Sequence, residues 1–316
     1  MASRVLLTVD TELTWAPYAR GASWQENLAC SYDPAGVGVP YQLEMLRAHA
    51  LKACFFVDPM PALVYGLEPI RRMVAPILAA GQEVQLHIHP VWVSISEGKA
   101  EGADFELTCF DAEAQEALVR KAADLLVEAG APRPIAFRSG SFAADRNTLA
   151  ALRKLGIRFD SSHNGSEHPS PSNLPLPRPH IAPADLAGIV EIPVTQIEAA
   201  SGSLRPLQLC AVSAQEMREA LLHASDNDHP VTTIVSHGFE LASRDGARPN
   251  RTVRNRFEKL CPFLAEHRET LPTAHFGDLA DLPLGRSDSP LPARRLRTTA
   301  RMVQQLWSNA VYERRL

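Results

Sequence analysis

Two pairs of side chains in this 316-residue sequence have the types and spacing of a divalent-metal site. Asp10 and Glu12 are two residues apart, and so are His87 and His89. Both pairs follow runs typical of β-strands, and residues i and i+2 of an extended chain project to the same side. Two imidazoles with a carboxylate from a neighbouring strand are a common ligand set, and three protein ligands leave positions open for water and substrate. The two pairs therefore predict a metal site.

Further polar groups close other predicted strands. Arg138 and Ser139 end one strand, Asp160 ends the next, and His237 ends another. Each is a weak signal by itself, because an arginine is usually in a salt bridge and a lone histidine is often a core residue. Catalytic groups of a parallel α/β sheet, however, lie at the carboxyl ends of its strands. Because all of these residues close strands at that end, we interpret them as one site.

Short β-rich runs alternate with helical patterns, which predicts an α/β fold with a mostly parallel sheet of about eight strands. Strands are predicted at 4–9, 53–57, 83–88, 135–138, 157–160, 190–194, 231–236 and 273–276. Helices are predicted at 41–50, 70–80, 113–129, 146–155, 214–224 and 250–266. The polar segment 10–40 and the segment 164–188 have no clear period, and we interpret both as loops.

The composition excludes several classes of protein. A net charge of −4 offers no basic field for nucleic acid, and no uninterrupted apolar run is long enough to span a membrane. Neither of the glycine-rich nucleotide-binding motifs is present. The N-terminus lacks the pattern of a signal peptide, and the five cysteines are odd in number and far apart. We therefore expect reduced thiols and a cytoplasmic protein.

The chain divides into three predicted parts. Residues 1–280 form the barrel, and the Pro-, Ser- and Asp-rich segment 281–293 is a linker. Residues 294–316 are predicted to form a basic amphipathic helix. It would pack on the barrel or on a second subunit, or lie on an anionic membrane surface as the alternative.

Taken in order, the motifs resemble the polysaccharide deacetylase superfamily, also called the NodB homology domain or carbohydrate esterase family 4. The resemblance spans roughly residues 3–278 and is closest to the WbmS-like deacetylases of O-antigen clusters. The segment 8–12, T-V-D-T-E, is similar to the family's T-F-D-D-G motif. Segments 137–140, 159–162 and 234–237 are similar to its arginine motif, its fourth motif and its strand that ends in histidine.

Two positions depart from the family pattern. Thr11 takes the place of the second aspartate, normally a metal ligand, and Glu12 is the obvious replacement. In the H-[ST]-x-x-H motif the second histidine comes at His89, two residues after His87 instead of four.

The resemblance implies an irregular (β/α) barrel of seven or eight strands. It also implies a metal-dependent deacetylase that removes an N-acetyl or O-acyl group from a sugar in surface polysaccharide (O-antigen or lipopolysaccharide) biosynthesis. Glu12, His87 and His89 would bind the metal. Asp10 would be the general base, paired with Arg138, and His237 would be the general acid. An exchange of roles between Asp10 and Glu12, or metal binding by both, stays open.

The ligand set implies one divalent ion, for which we favour zinc, with cobalt, nickel, manganese or iron as alternatives. The partner would be an acylated sugar or a sugar-containing precursor. Trp15, Trp92, Ser139 and Asp160 are predicted to contact this substrate, and Asp160 is alternatively predicted to hold Arg138.

Two other functions compete with this one. The first is a non-sugar amidohydrolase of the same fold, allantoinase-like and able to act without metal. The second is a catalytically inactive binding or scaffold protein. Metal content separates both from the deacetylase.

Overall fold

A computed structural model describes residues 2–99, 105–199, 201–294, 301, 308, 311 and 312. The strands are β1 (Arg4–Thr11), β2 (Cys54–Val57), β3 (Glu83–Ile88), β4 (Ala136–Ser139), β5 (Phe159–Asp160), β6 (Ala184–Leu186), β7 (Ile189–Glu191), β8 (Gln196–Glu198), β9 (Leu204–Pro206) and β10 (Val231–His237). The α-helices are α1 (Trp15–Ala19), α2 (Trp24–Ser31), α3 (Val39–Ala48), α4 (Ala62–Tyr65), α5 (Glu68–Ala79), α6 (Val91–Ser96), α7 (Ala112–Glu128), α8 (Arg146–Lys154), α9 (Ala214–Asp226) and α10 (Arg251–Glu266). Short 3-10 helices lie at Pro34–Gly36, Leu107–Cys109, Gly140–Phe142 and Phe276–Asp278.

Eight strands form one curled sheet, a half-barrel, in the order β10-β1-β2-β3-β4-β5-β7-β6. Neighbouring strands are parallel except for β6 and β7, which are antiparallel. Strands β8 and β9 form a separate hairpin. The predicted α/β fold, an irregular (β/α) barrel of seven or eight strands, is therefore confirmed.

The alternation of side chains along β1 explains how polar groups reach the barrel interior. Val5, Leu7 and Val9 belong to the large apolar cluster shared with the helices. Leu6 packs on the other face, with Phe56 and other residues of the interior cluster. Because side chains alternate along a strand, the residues after Leu6 on that interior line are Thr8 and Asp10. The apolar residues thus fill the lower part of the interior and leave its carboxyl end polar.

Several helices begin and end where local chemistry dictates. Asp145 and Ser213 cap the amino ends of α8 and α9 with capping boxes. Gly130 and Gly156, with φ of 102° and 73°, follow the last turns of α7 and α8 and adopt the left-handed conformation that glycine tolerates best.

The structure corrects three sequence-based assignments. Residues 10–40 are not one loop, since they contain α1 and α2, and Ser23 and Glu26 form a capping box at the start of α2. Residues 273–276 are not a strand, because Thr273 makes only an isolated bridge to Val5 before the 3-10 helix Phe276–Asp278. The segment 164–188 is largely irregular but includes β6.

The linker and the C-terminal helix stay predictions. The segment 281–294 contacts the barrel, since the carbonyl of Leu291 accepts a hydrogen bond of 3.0 Å from Glu198 N. Most of the predicted helix 294–316 lies outside the described residues. Of those described, Tyr312 has its ring 5.4 Å from the Arg248 guanidinium carbon. No helix in the described ranges is long and apolar enough to cross a membrane.

Candidate metal centre and active site

The three predicted metal ligands lie together at the carboxyl ends of β1 and β3. Glu12 directly follows β1, His87 lies in β3, and His89 follows β3. One ligand atom of each lies within 4.8 Å of the other two. The two histidine Nε2 atoms are 3.1 Å apart, and Glu12 Oε2 lies 3.6 Å from His87 Nε2 and in contact with His89 Nε2. These atoms converge on one point, as a single ion requires.

A backbone carbonyl fixes the tautomer of His87. Its Nδ1 lies 2.7 Å from the carbonyl oxygen of Arg138, which can only accept a hydrogen bond, so Nδ1 carries the proton. Nε2 is left free of this bond and points at Glu12 and His89. Metal-binding histidines are commonly oriented in this way by a partner of the other ring nitrogen.

The donor set fits a divalent cation. Glu12 Oε2 is buried and accepts no well-formed hydrogen bond. Burial disfavours the charged form of Glu12, but charge on His89 and contacts with both histidines outweigh it and hold its pKa well below the usual range. Burial likewise acts against charge on His89, yet Glu12 raises the pKa of His89 to about 9. The cluster thus favours positive charge among its three ligand atoms, which a proton or a metal ion can supply.

Gly140 gives the ring of His89 the space it occupies. A Cβ at this position would lie 2.5 Å from both Cε1 and Nδ1 of His89 and 2.7 Å from the carbonyl oxygen of Ile88. Atoms cannot approach this closely, so any side chain at position 140 displaces the second histidine.

We therefore expect Gly140→Ala to weaken metal binding by about 10- to 100-fold, the loss typical when the support of a ligand is disturbed. Competition with a chromophoric chelator measures the affinity. Gly277→Ala is the matched control, because its Cβ meets only Glu83 Oε1, at 3.3 Å. Equal affinities of the two variants would contradict a metal-binding role for His89.

Arg138 holds Asp10 in one orientation. Its Nη1 donates to Asp10 Oδ1 at 2.7 Å and to Thr8 Oγ1 at 2.8 Å. Its Nε and Nη2 donate to the carbonyl and hydroxyl oxygens of Ser161 at 3.1 and 3.0 Å. Burial opposes the charge of Asp10, but the guanidinium together with His87 and His237 outweighs it and lowers the pKa of this carboxyl. Asp10 is therefore an oriented carboxylate whose Oδ2 is not used by Arg138.

His237 faces that second oxygen from β10. Its Nε2 lies 3.9 Å from Asp10 Oδ2, and its Nδ1 lies 3.5 Å from Glu240 Oε1. Gln208 Nε2 donates to the same Glu240 oxygen at 2.6 Å. Burial favours the neutral ring, but Glu240 and then Asp10 raise the pKa of His237 to about 9. The imidazole is thus protonated at neutral pH and about a quarter exposed.

The pKa of His237 predicts an alkaline limit of activity. If His237 donates a proton, the enzyme has its full activity well below pH 9, and the activity falls as the pH rises through about 9. Glu240→Gln removes the charge that raises this pKa, so the alkaline limb should move down by about one pH unit or more. Profiles of kcat/KM against pH measure the alkaline limb in the wild type and in Glu240→Gln. An unchanged limb in Glu240→Gln would mean that another group sets it.

No protein-family model matches the sequence, and no curated protein matches it either. Solved structures do. An inferred polysaccharide deacetylase from Mycobacterium smegmatis superposes with a TM-score of 0.54 at 20% identity, over 91% of this chain and 95% of that one. A 4-alpha-glucanotransferase from Thermococcus litoralis gives a TM-score of 0.50 at 13% identity, over 87% of this chain and 38% of that one. A family 4 carbohydrate esterase from Streptomyces lividans, in complex with acetate, gives a TM-score of 0.45 at 14% identity, over 91% of this chain and 98% of that one.

This chain therefore shares the α/β-barrel fold of the Mycobacterium smegmatis and Thermococcus litoralis structures. At such low identity the likeness concerns the fold alone, and a glucanotransferase shares it, so the reaction must be argued from the site.

Of the four residues predicted to contact substrate, one is exposed. Trp15 begins α1 three residues after Glu12, is 40% exposed, and has its ring 5.7 Å from that of Phe105, which is 45% exposed.

The other three, Trp92, Ser139 and Asp160, are at most 1% exposed, and their contact with substrate stays a prediction. Trp92 packs against Tyr18 and Tyr65, and Ser139 Oγ donates to the carbonyl of Ala143 at 2.6 Å. Among the described residues, no hydrogen bond joins Asp160 to Arg138. The guanidinium bonds to the next residue, Ser161, because side chains alternate along β5.

Sequence reasoning missed two acidic residues of the site. Glu240 lies three residues after His237, a spacing too common to stand out in a sequence. Asp58 follows β2 directly and carries the same signal as the other strand-end residues. Its Oδ1 accepts from Met60 N at 2.9 Å, while Oδ2 is buried and has no hydrogen-bond partner in the described part of the chain. Burial raises the pKa of Asp58 to about 6, although His89 and His87 oppose the rise.

Proposed function

We propose that this chain is a metal-dependent deacetylase, a hydrolase that removes an N-acetyl or O-acyl group from a sugar. The observation that carries the proposal is one arrangement at the carboxyl ends of the strands. Three convergent ligand atoms lie beside a carboxylate oriented by an arginine and a histidine charged by a glutamate. These are the parts that metal-assisted hydrolysis requires: a metal site, a general base and a general acid.

Asp10 would act as the general base. Arg138 occupies Oδ1 at 2.7 Å, so Oδ2 is available to accept a proton from the attacking water. Glu12 is instead directed at the two histidines. This difference supports Asp10 as the base and Glu12 as the ligand over the exchanged assignment.

Glu12, His87 and His89 would hold the metal. A bound divalent ion would polarise the acyl carbonyl and lower the pKa of the attacking water. Two nitrogens and one oxygen suit zinc, which we favour, as well as cobalt, nickel, manganese and iron.

His237 would protonate the leaving group. An amine leaves far more readily once protonated, whereas an alkoxide or phenoxide needs the proton less. A histidine kept charged by Glu240 therefore favours an N-acetyl substrate over an O-acyl one.

The exposed pair Trp15 and Phe105 would bind the sugar. Aromatic faces stack on the apolar faces of sugar rings, and Trp15, whose ring contacts that of Phe105, lies three residues after Glu12. The five cysteines are free, which favours a reducing compartment. We therefore propose a precursor of a surface polysaccharide, such as the O-antigen of lipopolysaccharide, as the substrate, and a place near the WbmS-like deacetylases.

Hydrolysis of a panel of compounds, followed as acetate release or as ring opening, tests the proposal. The panel contains acetylated nucleotide sugars, O-acetylated sugars and a cyclic ureide, each assayed before and after chelation and with zinc restored. We expect acetate from an acetylated sugar, loss of the activity on chelation and recovery with zinc. Ring opening of the ureide without metal would favour the amidohydrolase, and no hydrolysis of any compound would favour the scaffold protein.

A further inference from the structure

Asp160 and Glu191 form a buried pair of carboxyl groups outside the proposed reaction. They are direct partners on the neighbouring parallel strands β5 and β7, and both are fully buried. Opposed residues of paired strands project to the same face of the sheet. Their neighbours Phe159 and Ile192 belong to the interior cluster, so the two carboxyl groups lie on the opposite face from Arg138.

Each carboxyl group has one oxygen satisfied and one unpartnered. Asp160 Oδ1 accepts from Ser162 Oγ at 2.6 Å, and Glu191 Oε1 accepts from the backbone N–H of His163 at 2.8 Å. Asp160 Oδ2 and Glu191 Oε2 are buried with no donor group among the described residues, and the two carboxyl groups interact with each other. Two adjacent buried carboxylates that each leave one oxygen without a donor are strongly unfavourable, whereas one proton between them satisfies both free oxygens.

We propose that Glu191 is a positioning residue that shares one proton with Asp160 and so keeps β5 and β7 in the register that anchors Arg138. Burial raises the pKa of both groups, and the adjacent Asp160 raises that of Glu191 further. Arg138 acts in the opposite direction on both, but does not overcome burial.

The register matters because it completes a chain of hydrogen bonds. Arg138 Nη2 donates to Ser161 Oγ at 3.0 Å, and Ser161 Oγ donates to the carbonyl of Ile192 at 2.8 Å. Ser161 and Ile192 are the residues that follow Asp160 and Glu191. Repulsion between two ionised carboxylates would separate these strands, and Arg138 would lose the hydroxyl that directs it at Asp10. The consequence for catalysis rests on the proposed function, whereas the shared proton does not.

Few other charges act on the pair. Arg138 is the charged side chain that influences both carboxyls. His163 contributes its backbone N–H, and burial together with His168 and His180 lowers the pKa of its ring to about 4, so the ring is neutral at pH 7. The ring of His163 therefore does not titrate near neutral pH beside the pair.

The pH dependence of unfolding tests the shared proton. The folded chain holds this proton at neutral pH, whereas Asp and Glu in the unfolded chain release theirs near pH 4. The shared proton thus contributes its full stabilisation to the folded chain at low pH, and this contribution decreases as the pH rises. We expect the unfolding equilibrium constant of the wild type to increase about tenfold more per pH unit than that of Glu191→Gln, because the amide replaces the proton.

Glu198→Gln, an exposed control in β8, should keep the wild-type slope. Equal slopes in wild type and Glu191→Gln would overturn the proposal.

Infrared spectroscopy of the folded wild-type chain gives a second readout that needs no variant to be stable. The carbonyl stretch of a buried neutral carboxylic acid should be present at pH 7 and absent from Glu191→Gln and Asp160→Asn. Its absence from the wild type would overturn the proposal. As a positioning residue, Glu191 should also be rescued by glutamine, with kcat retained within a few-fold, but not by alanine. A chain that shows the proton but hydrolyses no acylated sugar would overturn the proposed function and leave the shared proton established.

Discussion

Asp10→Asn is expected to lower kcat by about 100- to 10,000-fold, the usual contribution of a general base. The amide can still accept from Arg138 but cannot take a proton from water. Metal content should stay unchanged, because the three ligand atoms belong to Glu12, His87 and His89. Steady-state kinetics with the best substrate of the panel measure the loss.

The control must separate chemistry from folding. Asp10 and Arg138 form a fully buried ion pair, and removing one charge of such a pair can cost about 3–5 kcal/mol of stability. Thermal unfolding of the variant should therefore accompany the kinetics. Asp124→Asn, which changes an exposed carboxylate of α7, should retain full activity. If the folded, metal-loaded Asp10→Asn enzyme kept a nearly normal kcat, Asp10 would not be the base and the role would be assigned to Glu12.

His237→Gln is expected to have the second large effect, and one that depends on the leaving group. Deacetylation of an N-acetyl sugar should fall about 100- to 10,000-fold, because the amine leaves poorly without a proton. Hydrolysis of an aryl acetate should fall much less, since a phenoxide leaves without help. Parallel kinetics with the two substrates measure the difference.

The comparison between substrates serves as an internal control for folding. A misfolded variant loses both activities together, whereas loss of the general acid affects the amide selectively. An equal, large loss on both substrates in a folded His237→Gln chain would show that His237 is not the acid. It would then bind substrate or support Asp10, whose Oδ2 lies 3.9 Å away.

Long, periodic elements of this fold are predictable from sequence, and short ones are not. The strand predicted at 83–88 is β3 as observed, and α7 and α8 lie within one residue of their predicted ends, where Gly130 and Gly156 follow. Helices α1 and α2 have five and eight residues, too few for a clear period. Tyr18 of α1 is held by Tyr65 and Trp92, which are distant in sequence, so tertiary contacts decide this element.

The candidate site was also predictable from the sequence only in part. The i, i+2 spacing of His87 and His89, together with strands that all point the same way, was sufficient to predict that Glu12 meets them. The direction of a side chain at a strand end was not predictable. Asp160 ends its strand as expected, yet its neighbour Ser161 faces Arg138. The burial of a side chain was not predictable from sequence either. Trp15 and Trp92 are both aromatic residues beside a strand end, yet of the two only Trp15 is exposed.

The metal content of the purified protein tests the central claim most directly. Plasma mass spectrometry should find about one divalent ion per chain after reconstitution with zinc, and none in His87→Ala or His89→Ala. His49→Ala, at the end of α3 and away from the cluster, should bind metal like the wild type. A wild-type chain that binds no metal after reconstitution, or variants that retain it, would contradict a metal centre at Glu12, His87 and His89 and with it the deacetylase mechanism.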